Sequence, residues 1–65
     1  MQLLTCADVR SRTTLSKSRI YQLMAQGDFP RPVRLGTLSV AWVADEIDAW
    51  IRRRIEARGS VSPPN

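Results

Sequence analysis

The sequence predicts one mainly α-helical domain with a small β-hairpin, in the order α-α-β-β-α, and three observations carry that expectation. Thr5 and Ser16 each open a short stretch of helical periodicity. Phe29-Pro30-Arg31-Pro32 forbids helix and leads into alternating apolar residues. A longer helical stripe then starts near Val43. With 65 residues the chain holds a single thin core, too small for a second domain or a deep substrate cavity.

The first helix is expected from Cys6 to Thr13. Thr5 is its N-cap, Asp8 sits at the third helical position near the positive dipole end, and Leu4 and Val9 flank the cap as a hydrophobic staple. The β-branched pair Thr13-Thr14 and the second cap at Ser16 end it. The second helix, Lys17 to Gln26, repeats the staple with Leu15 and Ile20 and stops at Gly27. Two short helices joined this closely have the dimensions of a helix-turn-helix.

In the next segment Val33 and Leu35 share one side with Arg34 opposite, Gly36-Thr37 offers a Gly-first two-residue turn, and Leu38, Val40 and Trp42 share one side again. An isolated two-stranded hairpin is marginal, so its apolar side is expected against the helices, with its tip projecting as a wing. The last helix is expected from Val43 to Arg58. Val43, Ile47, Trp50, Ile51 and Ile55 form its buried stripe, Asp45 and Glu46 lie in its first turn, and Asp48 and Arg52 are spaced as an ion pair. Trp42 and Trp50 are read as core. Residues 1–58 are therefore assigned to the domain, and residues 59–65, with Pro63-Pro64, to a disordered C-terminal tail.

The net charge is +4, and all of it falls in residues 1–34, where Arg10, Arg12, Lys17, Arg19, Arg31 and Arg34 meet only Asp8 and Asp28. Arginine supplies every base except Lys17, which favours a polyanionic partner. There is no histidine and Cys6 is the one cysteine, which removes His-based acid–base chemistry, Cys/His zinc sites and an intrachain disulfide. Neither a nucleophile paired with a base nor a Gly-rich phosphate loop is present, so no enzyme, cofactor, metal or small-molecule substrate is expected. Without an apolar span or an export signal, the expected location is cytoplasmic, at the nucleoid, with no membrane partner.

On the second helix Ile20, Leu23 and Met24 form the apolar stripe. Ser18, Gln22 and Gln26 lie opposite, with Lys17, Arg19 and Tyr21 on the flanks, and this outer face carries no acid. Such a face suits the DNA major groove, and it also suits plain solvation. Arg31 and Arg34 fit a wing beside a phosphate backbone, or equally the charged protection of an edge strand. Arg52-Arg53-Arg54, neutralised by nearby acids, is read as a solvated helix face, with phosphate contact the alternative.

Taken in order, Leu15-Ser16-Lys17-Ser18-Arg19-Ile20-Tyr21, Gly27-Asp28-Phe29-Pro30-Arg31-Pro32-Val33-Arg34-Leu35-Gly36, Val40-Ala41-Trp42 and Glu46-Ile47-Asp48-Ala49-Trp50-Ile51 resemble the AlpA family of phage-type regulators, over about residues 3–55. The resemblance implies a MerR-like winged helix-turn-helix related to small phage excisionases. It further implies a sequence-specific double-stranded DNA-binding protein of a phage or integrated element, acting as a transcriptional regulator. The alternative within the same resemblance is an excisionase that bends DNA for an integrase; a protein-interaction adaptor is the alternative outside it. On the implied assignment Ser18, Arg19 and Gln22 contact bases, while Lys17, Tyr21, Arg31 and Arg34 contact phosphates. Thr14 stands where such sequences usually have Gly, and Leu38 where an Arg is common. One short helix and a wing read few base pairs, so further copies side by side on repeated sites are expected partners.

Overall fold

In the computed structural model, which describes residues 1–60, α1 spans Cys6–Thr13 and α2 spans Lys17–Ala25. Both begin where their caps predict. The Thr5 hydroxyl accepts from the Asp8 N–H at 3.1 Å, and the Asp8 carboxylate accepts from the Thr5 N–H at 3.1 Å, a complete capping box. Ser16 caps α2 by accepting from the Arg19 N–H at 3.1 Å; with Arg19 in place of an acid, the reciprocal half is missing. Leu4, Val9 and Ile20 are buried and Leu15 packs at the core edge, so both staples close. At its far end α2 stops in a Schellman motif. Asp28 N–H donates to the Leu23 carbonyl, Gly27 N–H to that of Met24, and Gly27 takes φ +77°.

The connection between the helices is Thr14-Leu15-Ser16. Thr14 has φ 60° and ψ 14°, the one left-handed non-glycine among the described residues. Local hydrogen bonds surround it: Thr14 N–H donates to the Arg10 carbonyl at 2.7 Å and the Thr13 hydroxyl to the Val9 carbonyl at 2.8 Å. The turn thus keeps a left-handed residue even though a β-branched side chain occupies it.

Three strands complete the fold: β1 (Leu3–Leu4), β2 (Val33–Arg34) and β3 (Val40–Val43), antiparallel in the order β1-β3-β2. The expected hairpin is therefore two strands of a three-stranded sheet; β1 has too few residues to show an alternation of its own. The hairpin loop also differs from expectation. Leu35 N–H donates to the Ser39 carbonyl at 2.8 Å and Gly36 lacks a positive φ, so Gly36-Thr37-Leu38 forms a three-residue loop instead of a Gly-first two-residue turn. The register answers to the core. Trp42 is paired with Leu4, fully buried, and held by an Nε1–H bond to the Pro30 carbonyl at 3.0 Å, and the loop accommodates what that anchoring leaves.

Pairing of Val33 with Ala41 and Arg34 with Val40 places Arg34 on the Trp42 side of the sheet and turns Val33 and Leu35 to the opposite side. The expected apolar side against the helices is thereby broken: Val33, Leu35, Leu38 and Val40 are all exposed.

Helix α3 spans Ala44–Ser60. It begins one residue later than expected because Val43 is paired with Leu3 in the sheet, and Ala44 N–H still donates to the Gln2 carbonyl at 2.8 Å. It runs two residues past Arg58; residues 61–65, the rest of the expected tail, lie outside the described residues. The core comprises Leu4, Val9, Ile20, Leu23, Phe29, Trp42, Ala44 and Ile47. Trp50 and Ile51 are half-buried at its edge and Ile55 is exposed, so among the described residues the predicted stripe is covered in its first turns and open at Ile55. Asp48 bonds Arg12 of α1 at 3.1 Å instead of Arg52, joining two elements that the chain separates widely. Both partners are well exposed, so this link contributes at most about 1 kcal/mol. No helix among the described residues is long and apolar enough to cross a membrane.

Candidate nucleic-acid interface

Helix α2 turns its buried stripe, Ile20 and Leu23, into the core, and that fixes what it shows outside. Ser18, Arg19 and Gln22 are exposed at spacings of three and four, on one face one turn deep. Arg19 Nη1 donates to Gln22 Oε1 at 2.9 Å. The two exposed side chains are thus joined as one unit, which keeps further donors in the remaining guanidinium N–H groups and the Gln22 amide N–H₂. Lys17 is exposed in the first turn, beside the positive end of the helix dipole, and no acid lies in that turn.

Tyr21 is 41% exposed, and its ring meets Trp42 edge-on, with centroids 6.5 Å apart and planes at 75°. The fully buried indole therefore links α2 to the sheet. Arg34 lies on the same sheet face as Trp42, so the fold brings Tyr21 and Arg34 to one side of the domain.

Arg31 belongs to a second feature. It lines an open cleft of about 700 Å³ between the segment after α2 and the middle of α3, together with Arg53, Arg54, Glu46 and Trp50. Trp50 is fixed there by an Nε1–H bond to the Asp28 carbonyl at 2.6 Å and by an edge contact with Phe29, and Arg54 lies over its ring at 4.9 Å. In the sequence Arg53 and Arg54 read as part of a solvated run. Their spacing of three and four from Trp50 is the signal that places them on the same side of α3 as the indole. No group of three or more His, Cys, Asp or Glu side chains that could hold a metal ion occurs among the described residues.

A family model described as prophage CP4-57 regulatory protein (AlpA) matches residues 2–55, from β1 to the exposed turns of α3. The uncharacterized protein ORF88 of Enterobacteria phage P4 is 48% identical over 44 residues, which is 68% of this chain and 50% of that protein. The chain thus spans about half the length of this relative.

Proposed function

Because the chain belongs to the AlpA family of prophage regulatory proteins, we propose that it binds double-stranded DNA sequence-specifically and regulates transcription by binding, without catalysis. The observation that carries this reading is the outer face of α2: capped by Ser16, free of acid, and bearing the aligned Arg19–Gln22 pair. That pair and Ser18 supply donors suited to base edges in the major groove, where Arg recognises guanine and Gln recognises adenine. Lys17 and Tyr21 flank the face, and Arg34 follows on the wing, as phosphate contacts that set the register of the helix on the duplex. Arg31 is assigned to phosphate as well, from the cleft side.

A salt titration tests the reading. Three cations, Lys17, Arg31 and Arg34, are assigned to phosphate, so log affinity for a duplex should fall against log salt with a slope of roughly −3. A slope near zero, or a chain that retards no duplex, would remove the DNA-binding reading.

A further inference from the structure

The cleft beside Trp50 has a composition that DNA binding leaves unused. Its α3 wall consists of Glu46, Ala49, Trp50, Arg53 and Arg54, which recur at helical spacings of three and four. One face, roughly 12 Å long, thus carries an acid at its start, a methyl group and an indole in its middle and two guanidiniums at its end. Phe29 and Pro30 line the cleft from the segment after α2. Glu46 forms no ion pair with these arginines among the described residues, so the charges stay segregated along the wall. Trp50 is held by the Asp28 carbonyl and Arg54 lies over its ring, which preorganises the cationic end.

Shape and chemistry together select the occupant. The backbone of a duplex is convex and carries acceptors and negative charge only, so Asp28 and Glu46 in this concave cleft would repel it and find no donor on it. An extended peptide supplies what these walls call for: N–H donors for the acids, an apolar side chain for Trp50 and Ala49, and carboxylates for the guanidinium forks. We infer that the cleft is a docking site for an extended acidic segment of a second protein, with its carboxylates on Arg53 and Arg54, an apolar side chain against Trp50 and main-chain N–H groups toward Glu46. About four residues at roughly 3.3 Å each span the face. Arg31 lines the cleft from the segment after α2 and keeps the phosphate role given above, so a chain seated on DNA retains the α3 wall for its partner. Such docking goes beyond DNA binding and does not depend on it.

The test uses the full chain, isotopically labelled for nuclear magnetic resonance, and blocked peptides of about eight residues that alternate Leu with Glu, with Gln or with Lys. The Glu peptide should shift the Trp50 indole N–H and the Arg53 and Arg54 side-chain resonances, with a dissociation constant on the order of 0.1 to 1 mM, and the Gln and Lys peptides should not. Arg53→Gln and Arg54→Gln should each weaken the Glu peptide about threefold to fivefold, the range of an exposed ion pair. Arg54→Lys should not restore it, because an ammonium lacks the planar fork. Both arginines are exposed, so each variant should melt within about 4 °C of the wild type. Duplex affinity and its salt slope should be unchanged in all three variants. A salt slope flattened by about 0.9 in Arg53→Gln or Arg54→Gln would make the α3 wall a phosphate contact and overturn the inference. Equal binding of the Glu and Gln peptides, or a Glu peptide that leaves the Trp50 resonance unmoved, would overturn it as well. So would a wild-type dimer in sedimentation that Arg53→Gln and Arg54→Gln dissolve, since a second copy would then fill the cleft.

Discussion

Replacing Thr14 by glycine should stabilise the domain. Thr14 holds φ 60° and ψ 14°, where an L-residue pays about 1 to 2 kcal/mol because its Cβ crowds the following carbonyl oxygen. A β-branched residue belongs at the upper end of that range. The side chain is exposed, and its own hydrogen bond is to the adjacent Thr13 carbonyl, so removing it takes nothing from the core. Glycine relieves the crowding and adds about 0.5 to 1 kcal/mol of unfolded-state entropy to be overcome. The expected net gain for Thr14→Gly is therefore about 0.5 to 1 kcal/mol, which for a domain of this size raises the melting temperature by roughly 2 to 8 °C. Thr14→Asn, which tolerates the left-handed region, should gain part of this, and Thr14→Val should gain none. Thermal and denaturant melts followed by circular dichroism measure all three. A Thr14→Gly variant less stable than the wild type, or a Thr14→Val variant equally improved, would refute the claim that left-handed strain sits at this turn.

The two tryptophans should separate in the same assay. Trp42→Ala should cost about 3 to 5 kcal/mol and leave little folded protein, whereas Trp50→Ala, at the half-buried edge, should cost about 2 to 3 kcal/mol; equal losses would place both rings in the core. On a selected duplex, Arg19→Ala or Gln22→Ala should each cost about 1 to 3 kcal/mol and little on random DNA, while Arg34→Ala should weaken both alike. Because Arg19 and Gln22 are hydrogen-bonded, their double mutant should lose less than the sum, by about 0.5 kcal/mol or more. Strict additivity, measured by fluorescence anisotropy, would show that the pair does not act as a unit.

Local rules carried much of the fold. Thr5, Asp8 and Ser16 start helices where a cap places them, because the capping bonds are made within three residues of chain. The stop at Gly27 and the extended path through Pro30 and Pro32 follow from backbone sterics alone. The outer face of α2 was legible for a similar reason: once Ile20 and Leu23 face inward, helical geometry settles where Ser18, Arg19 and Gln22 point. Membership of the family rests on that ordered sequence as well.

What the sequence could not determine involves partners distant along the chain. β1 exists because Leu4 meets Trp42 across the sheet, and a two-residue strand has no periodicity to detect. The hairpin register is decided by where Trp42 is buried and bonded, against the local preference for a tight turn, and a shift of one residue sends Val33 and Leu35 to the other face. Asp48 had a cation four residues away on its own helix, yet the assembled fold presents Arg12 of α1 instead. How far the α3 stripe is covered depends on how much core there is to cover it, so Ile47 is buried and Ile55 is not. In each case short-range sterics and capping define the element, while its register, its partner and the extent of its burial are properties of the assembled core.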